Sequence, residues 1–357
     1  NIQMMMIRKQ TILLSFLFCM QTLSQSASAM TLFGSKKDKK ETTKPVQSDY
    51  NKLVGRDTMA IKGLMGVIQK ENDYYLEIPK TLIGREILVS NKLLQVPQEL
   101  NEAGVNKGIN YENKTIKFEW EKGLNKLNIR EQRLTPEVYS FYAMAPSVKD
   151  NYINPLIASL KIEGVSKDSA SVVVKVTNLF NGKDECLNDV FNLINLGTSA
   201  NSELSRILSM KAFDNNVAAT SELTTVVHEG KSKTNITIVV STSLILLPSR
   251  PMMGRLENQR VGYFTTSRLH YGDNQPEVAT KNYITRWNLE PKDTAAYMRG
   301  ELVEPVKPIE FYIDYAVPAN ILPYIKKGIL DWNKAFERAG FKNAVVVHEF
   351  TDSMALE

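Results

Sequence analysis

The sequence predicts an α+β protein in which β structure dominates. β-rich N-terminal modules, sandwich-like or built of bent antiparallel sheets, precede an incomplete β-α-β unit. Three observations predict this. KTIKFEWE (114–121) sets Ile116, Phe118 and Trp120 against charged neighbours at period two, the pattern of a half-buried strand. KTNITIVVSTSLILLP (233–248) is the strongest run of β-forming residues in the chain. After residue 300 the pattern changes to strand, amphipathic helix, strand. Hydrophobic residues make up 43% of the 357 and charged residues 23%, which fits a folded protein with material for two or three domains.

The N-terminus reads as a secretion signal, with initiation expected at Met4, Met5 or Met6. Arg8 and Lys9 form the positive region, ILLSFLFCM (12–20) the apolar core, and Ala27-Ser28-Ala29 the small-residue site cleaved between Ala29 and Met30. The apolar run is too short for a stable membrane anchor, so no transmembrane span is expected after signal removal. Cys19 follows Phe16-Leu17-Phe18, which lacks the small residue wanted before a lipid-modified cysteine. Cleavage would leave Cys186 as the single thiol, so no internal disulfide is expected. The net charge of +5 owes much to Lys36, Lys37, Lys39 and Lys40 in one polar stretch. It gives no basic stripe, and nucleic acid is not an expected partner.

These signals divide the chain into a signal peptide (1–29), a flexible charged linker (30–52), a small β-rich module (53–135), a larger β-rich accessory module (136–300) and the start of a further domain (301–357). In the first module YYLEI (74–78) and EILVS (86–90) read as strands parted by Pro79 and Gly84, and LNKLNIRE (124–131) as a weaker companion of 114–121. In the second, SLKIEG (159–164) and SASVVVKVTNLF (169–180) are strands, and SELSRILSM (202–210) reads as a short helix. No fixed-period repeat occurs.

IEFYIDYAV (309–317) alternates Ile309, Phe311, Ile313 and Tyr315 on one face. Pro318 ends it, and Asn320 is placed to cap a helix. Along that helix Leu322, Ile325, Ile329, Trp332 and Phe336 recur at spacings of three and four, which makes Trp332 and Phe336 core residues. Pro323 is tolerated in the first turn, Gly340 stops the helix, and NAVVVHEF (343–350) is the second strand. The two strands should be parallel with a right-handed crossover. A unit of this kind leaves strand edges and apolar side chains without partners, so the chain is expected to stop inside a domain.

VKPIEFYIDYAVPANILPYIKKGILDWNKAFERAGFKNAVVV (306–347) resembles the opening of the catalytic domain in Met-zincin-type secreted bacterial zinc-dependent metallopeptidases. LPSRPMMGRLENQRVGYF (247–264), YYLEIPKTLIGREILVSN (74–91) and ITRWNLEP (284–291) are similar to segments those proteins carry upstream, in the same order. The resemblance implies a metzincin-like α/β domain, zinc as cofactor of the full-length form and a polypeptide substrate. It also implies an exported location, in the periplasm, at the cell surface or outside the cell. It further suggests that Arg255, Glu257 and Arg260 contact a catalytic cleft and hold a zymogen silent; ordinary surface ion pairs are the alternative.

The family's chemistry needs His-Glu-x-x-His on a helix, which sets two imidazoles on zinc and a glutamate beside the attacking water. The sequence has three histidines. His228-Glu229 is followed by Ser232 and His348-Glu349 by Asp352 where a second ligand would stand. No residue of this chain is therefore assigned a catalytic or metal-binding role, and the fragment is expected to be inactive and free of zinc. A non-enzymatic exported surface protein that binds peptide or glycan, or a prosegment-like inhibitor acting in trans, are the rival readings.

Overall fold

The computed structural model describes residues 50–350, apart from 54–58, 134–135, 167, 183–186, 192–193, 195, 197–198, 230–231 and 273–276. The expected signal peptide, its Ala29–Met30 cleavage site, the linker up to residue 49, Cys186 and Asp352 lie outside the described residues. Contacts divide the chain at Pro45–Val46, and all that follows belongs to the second unit.

A short helix α1 (Tyr50–Leu53) is followed by strands β1 (Met59–Ile61), β2 (Gly66–Lys70), β3 (Asp73–Pro79) and β4 (Glu86–Gln95) and helix α2 (Gln98–Glu102). Then come β5 (Asn110–Glu121), β6 (Lys126–Gln132), β7 (Glu137–Val138), helix α3 (Ala145–Asn151), β8 (Leu156–Val165) and β9 (Ser171–Lys175). β10 (Arg206–Ala212), β11 (Asn216–Glu229) and β12 (Ser232–Leu246) complete an 11-stranded sheet in the order β1-β2-β3-β9-β8-β6-β5-β4-β12-β11-β10. All its pairings are antiparallel.

Two features bend this sheet. β8 pairs with β6 through Leu156–Lys161 and with β9 through Ile162–Val165, and a bulge between Ile162 and Gly164 marks the change of partner. The sheet then curls until the turn after β1 meets the end of β10, where the Leu64 N–H donates to the Phe213 carbonyl (2.6 Å). Gly63 is required at this seam, because a Cβ there would lie 2.6 Å from the Phe213 oxygen. Alternate residues of the curled strands point inward to one core that includes Met65, Leu76, Ile87, Ile116, Phe118, Leu127, Ile162, Val174, Met210 and Leu244. A second core covers the far half of β4, β11 and β12, where Leu93, Tyr111, Leu223, Ile238 and Val240 pack under Leu100 of α2 and Val190 and Phe191. Buried Asn91 fastens this cover by donating to the carbonyls of Leu187 (3.0 Å) and Glu112 (3.2 Å).

The strands expected at 74–78, 86–90, 114–121 and 159–164 lie within β3, β4, β5 and β8, and β12 covers the run expected at 233–248 as far as Leu246. Three expectations are corrected. The linker does not run free to residue 52: α1 packs on β8, and the Tyr50 hydroxyl donates to Glu77 Oε2 (3.1 Å). SELSRILSM is not a helix; its second half is β10, because pairing with β11 overrides local propensity. The modules 53–135 and 136–300 are not separate sheets, since β6 pairs with β8 and β4 with β12.

β13 (Thr265–Tyr271) and β14 (Ala279–Ile284) pair antiparallel, and β7 joins β13 in parallel to make a small sheet. Helix α4 (Thr294–Met298), capped by Asp293, leads to β15 (Ile309–Ile313), helices α5 (Leu322–Leu330) and α6 (Asn333–Arg338), and β16 (Val345–Glu349). β15 and β16 pair in parallel, as the strand–helix–strand pattern requires. The expected single helix is two. Ile321, not Asn320, occupies the cap position of α5, and the helix breaks at Asp331–Trp332. Asn333 explains the break: its amide donates to the Val345 carbonyl and accepts from the Val345 N–H, both at 2.9 Å. Trp332 is 65% exposed instead of buried, whereas Phe336 packs against the small cluster of Ala296, Val303, Phe341 and Ala344. Phe311 and Tyr315, placed on the core face of the strand, are also exposed, although Ile309 and Ile313 are buried.

A candidate interaction surface

The segment 247–264 leaves the main sheet at Leu247, whose carbonyl accepts from Arg85 Nη2 (2.9 Å), and runs as an arm along the free edge of β14. Its backbone is held at several points. Arg286 Nη2 donates to the Met253 carbonyl (3.0 Å), the Ile284 N–H to the Arg255 carbonyl (2.9 Å), and the Glu257 N–H to the Asn282 carbonyl (2.9 Å). Gly254 lies flat on the Tyr283 ring, where a Cβ would come within 2.8 Å of Cδ1. The chain turns at Asn258–Val261 and returns as β13 on the other edge of β14.

This anchoring directs apolar side chains outward. Phe264 is 90% and Met253 84% exposed, and Leu256, Val261 and Tyr263 are also exposed. Fixed, exposed apolar groups gathered in this way make the arm a candidate place of contact. Beside it Tyr139 stacks on Phe141 (5.3 Å between centroids) and meets His270 edge-on (5.2 Å), with Lys281 Nζ 5.9 Å from the Tyr139 centroid. Glu137 ties the small sheet together: Tyr283 donates to it at 3.0 Å, and Arg268 pairs with it at 3.4 Å. Partial burial and then the Glu137 carboxylate push the Tyr283 hydroxyl pKa up.

The three residues singled out from the sequence all lie on this arm. The Glu257 carboxylate accepts from the Asn282 amide, and Arg260 Nε donates to Asn258 Oδ1 (3.2 Å). Arg255 is exposed and joins the sheet through its backbone. None of the three makes an ion pair among the described residues. For the exposed Phe264 and Met253 the sequence signal is the apolar content of PMMGRLENQRVGYF; for Phe141 there is none that separates it from a buried aromatic.

The histidines do not converge. His228 is exposed near the end of β11, His270 is 4% exposed on β13 with no partner for Nδ1 among the described residues, and His348 of β16 stacks on Tyr312 of β15 (5.0 Å). No group of three or more His, Cys, Asp or Glu among the described residues is arranged to hold a metal ion, so these residues do not fit a zinc site. Among the described residues no helix is long and apolar enough to cross a membrane.

The curled sheet, the small sheet and the arm define a β-rich domain with an exposed apolar surface. Residues 108–292, just over half of the chain, match the family described as Domain of unknown function (DUF5117), and the chain belongs to that family. Residues 47–96 match a second description, Domain of unknown function (DUF5118). No curated protein and no solved structure matches.

Proposed function

We propose that this chain is the N-terminal accessory portion, with the opening of a metzincin-like catalytic domain, of an exported zinc-dependent metallopeptidase that hydrolyses peptide bonds in polypeptide substrates. The observation that carries the reading is the unit Ile309–Glu349. Among the described residues it holds a parallel pair of two strands and a helix, α5, that buries none of its side chains, with Tyr324 76% exposed. Parallel strands are stable when covered on both faces and paired on both edges, so this unit calls for further polypeptide to pack on it. The order of family-like segments along the chain adds support, and so does the arm, which leaves Arg255, Arg260 and a row of apolar groups exposed. Zinc ligands would have to come from residues outside this sequence. Periplasm, cell surface and extracellular space are the locations that fit the secretion-signal pattern.

The protein purified from its native host with an antibody against this chain should carry one zinc and hydrolyse an unfolded protein in a chelator-sensitive way. The 357-residue chain alone should do neither. A native product lacking both properties contradicts the reading, as does stoichiometric zinc on the chain alone that survives mild chelation.

A further inference from the structure

The curled sheet fails to close along its whole length, and the failure makes a cleft. At one end the Leu64–Phe213 bond bridges the seam between the first strands and β10. Toward the other end the walls part around a cavity of about 750 Å³. One wall is the start of β10, from Ser205 to Ile207. β10 is the last strand of the sheet and pairs only with β11, so its outer main-chain edge faces the cleft side. The opposite wall carries the side-chain amides of Gln69, Asn72 and Asn178, none of which has a hydrogen-bond partner among the described residues.

We infer that this cleft binds a short extended polypeptide segment, which adds as a strand to the edge at Ser205–Ile207 and is held on its other side by Gln69, Asn72 and Asn178. Each side-chain amide offers one carbonyl and one NH₂ group, the same donor and acceptor set as a peptide unit. A strand added to a sheet edge draws its affinity from such main-chain pairing. Of the charges that line the cleft, Lys175 pairs with Asp73 (2.7 Å) and Arg206 with Glu222 (3.1 Å), and Glu203 has no ion pair among the described residues. A lone free carboxylate repels an anion and is too few ligands for a metal ion, which leaves a backbone segment as the occupant the cleft fits. A saccharide is disfavoured because the only ring lining the cleft belongs to Tyr74, which is 6% exposed and presents no face for stacking. The cleft lining stops at Ile207 and a bulge between Ile207 and Ser209 interrupts the edge there, so the bound stretch is short, about three or four residues at roughly 3.3 Å each. The inference needs only the described residues and stands apart from the peptidase reading.

The test uses the full chain with a pool of acetylated, amidated, uncharged hexapeptides, read by hydrogen exchange. Saturating peptide should slow exchange of the amides at 205–208 and leave β13 and β14 unchanged. The double variant Asn72→Ala, Asn178→Ala should keep the wild-type melting temperature and bind about tenfold more weakly, for two lost hydrogen bonds. Absence of protection at 205–208 would overturn the inference. So would binding that is equal in the double variant, or protection by cello-oligosaccharide and not by peptide.

Discussion

Asn333 does what a neighbouring strand would do for Val345, through two 2.9 Å bonds from a single side chain. Asn333→Ala should lower the stability of the C-terminal unit by about 1–3 kcal/mol, since two backbone groups lose their partner. Asn333→Asp, which keeps the acceptor and loses the donor, should fall between the two. Exchange of the Val345 amide checks both. Glu304 gives a pH-dependent counterpart. Its bond from Lys292 (2.7 Å), then that from Asn343 (3.2 Å), hold its carboxyl below the usual glutamate range. A depressed pKa adds stability above the unfolded-state value and loses it as pH falls through the folded value. Acid melts of Glu304→Gln should therefore converge with wild type at low pH and lie below it near neutrality; parallel curves would contradict the assignment. Neither role was legible in the sequence. DWNKAFERAGF reads as uninterrupted helix, and an asparagine that bonds forward to Val345 leaves no local signal.

At the scale of elements, alternation carried most of the information. Ile116 and Phe118, like Leu127 and Ile129, were readable because period-two burial is a local consequence of the pleat. Phe118, 2% exposed at the centre of the curled sheet, should show this energetically. Phe118→Ala should destabilise the protein by about 3–5 kcal/mol with little change in the C-terminal unit, as read by denaturant unfolding. β10 was misread for the opposite reason. SELSRILSM contains Leu and Met at spacings that also fit a helix, and only the long hairpin β11–β12 makes it a strand. The partner exchange within β8 was equally hidden, because a bulge at Ile162–Gly164 depends on two strands that arrive from opposite sides. Of the candidate surface, the sequence drew attention to the stretch that holds Arg255, Glu257 and Arg260, whereas the outward aim of Phe264 and Met253 follows from backbone anchoring by Arg286 and β14.

Across the whole molecule, the two expected β modules share one sheet, so a family boundary near residue 100 does not divide the fold. Strand order joins β4 to β12 and β3 to β9 across that boundary, and sequence order alone gives no view of such pairings. The same scale holds the central claim, that the parallel pair β15–β16 and its thinly covered helix open a sheet completed by further polypeptide carrying zinc chemistry. Intact mass and peptide sequencing of the native exported protein test it most directly. The native product should be larger than this 40.3 kDa chain and carry a peptide containing His-Glu-x-x-His downstream of Glu357. A native product whose last peptide ends at Glu357 would contradict it.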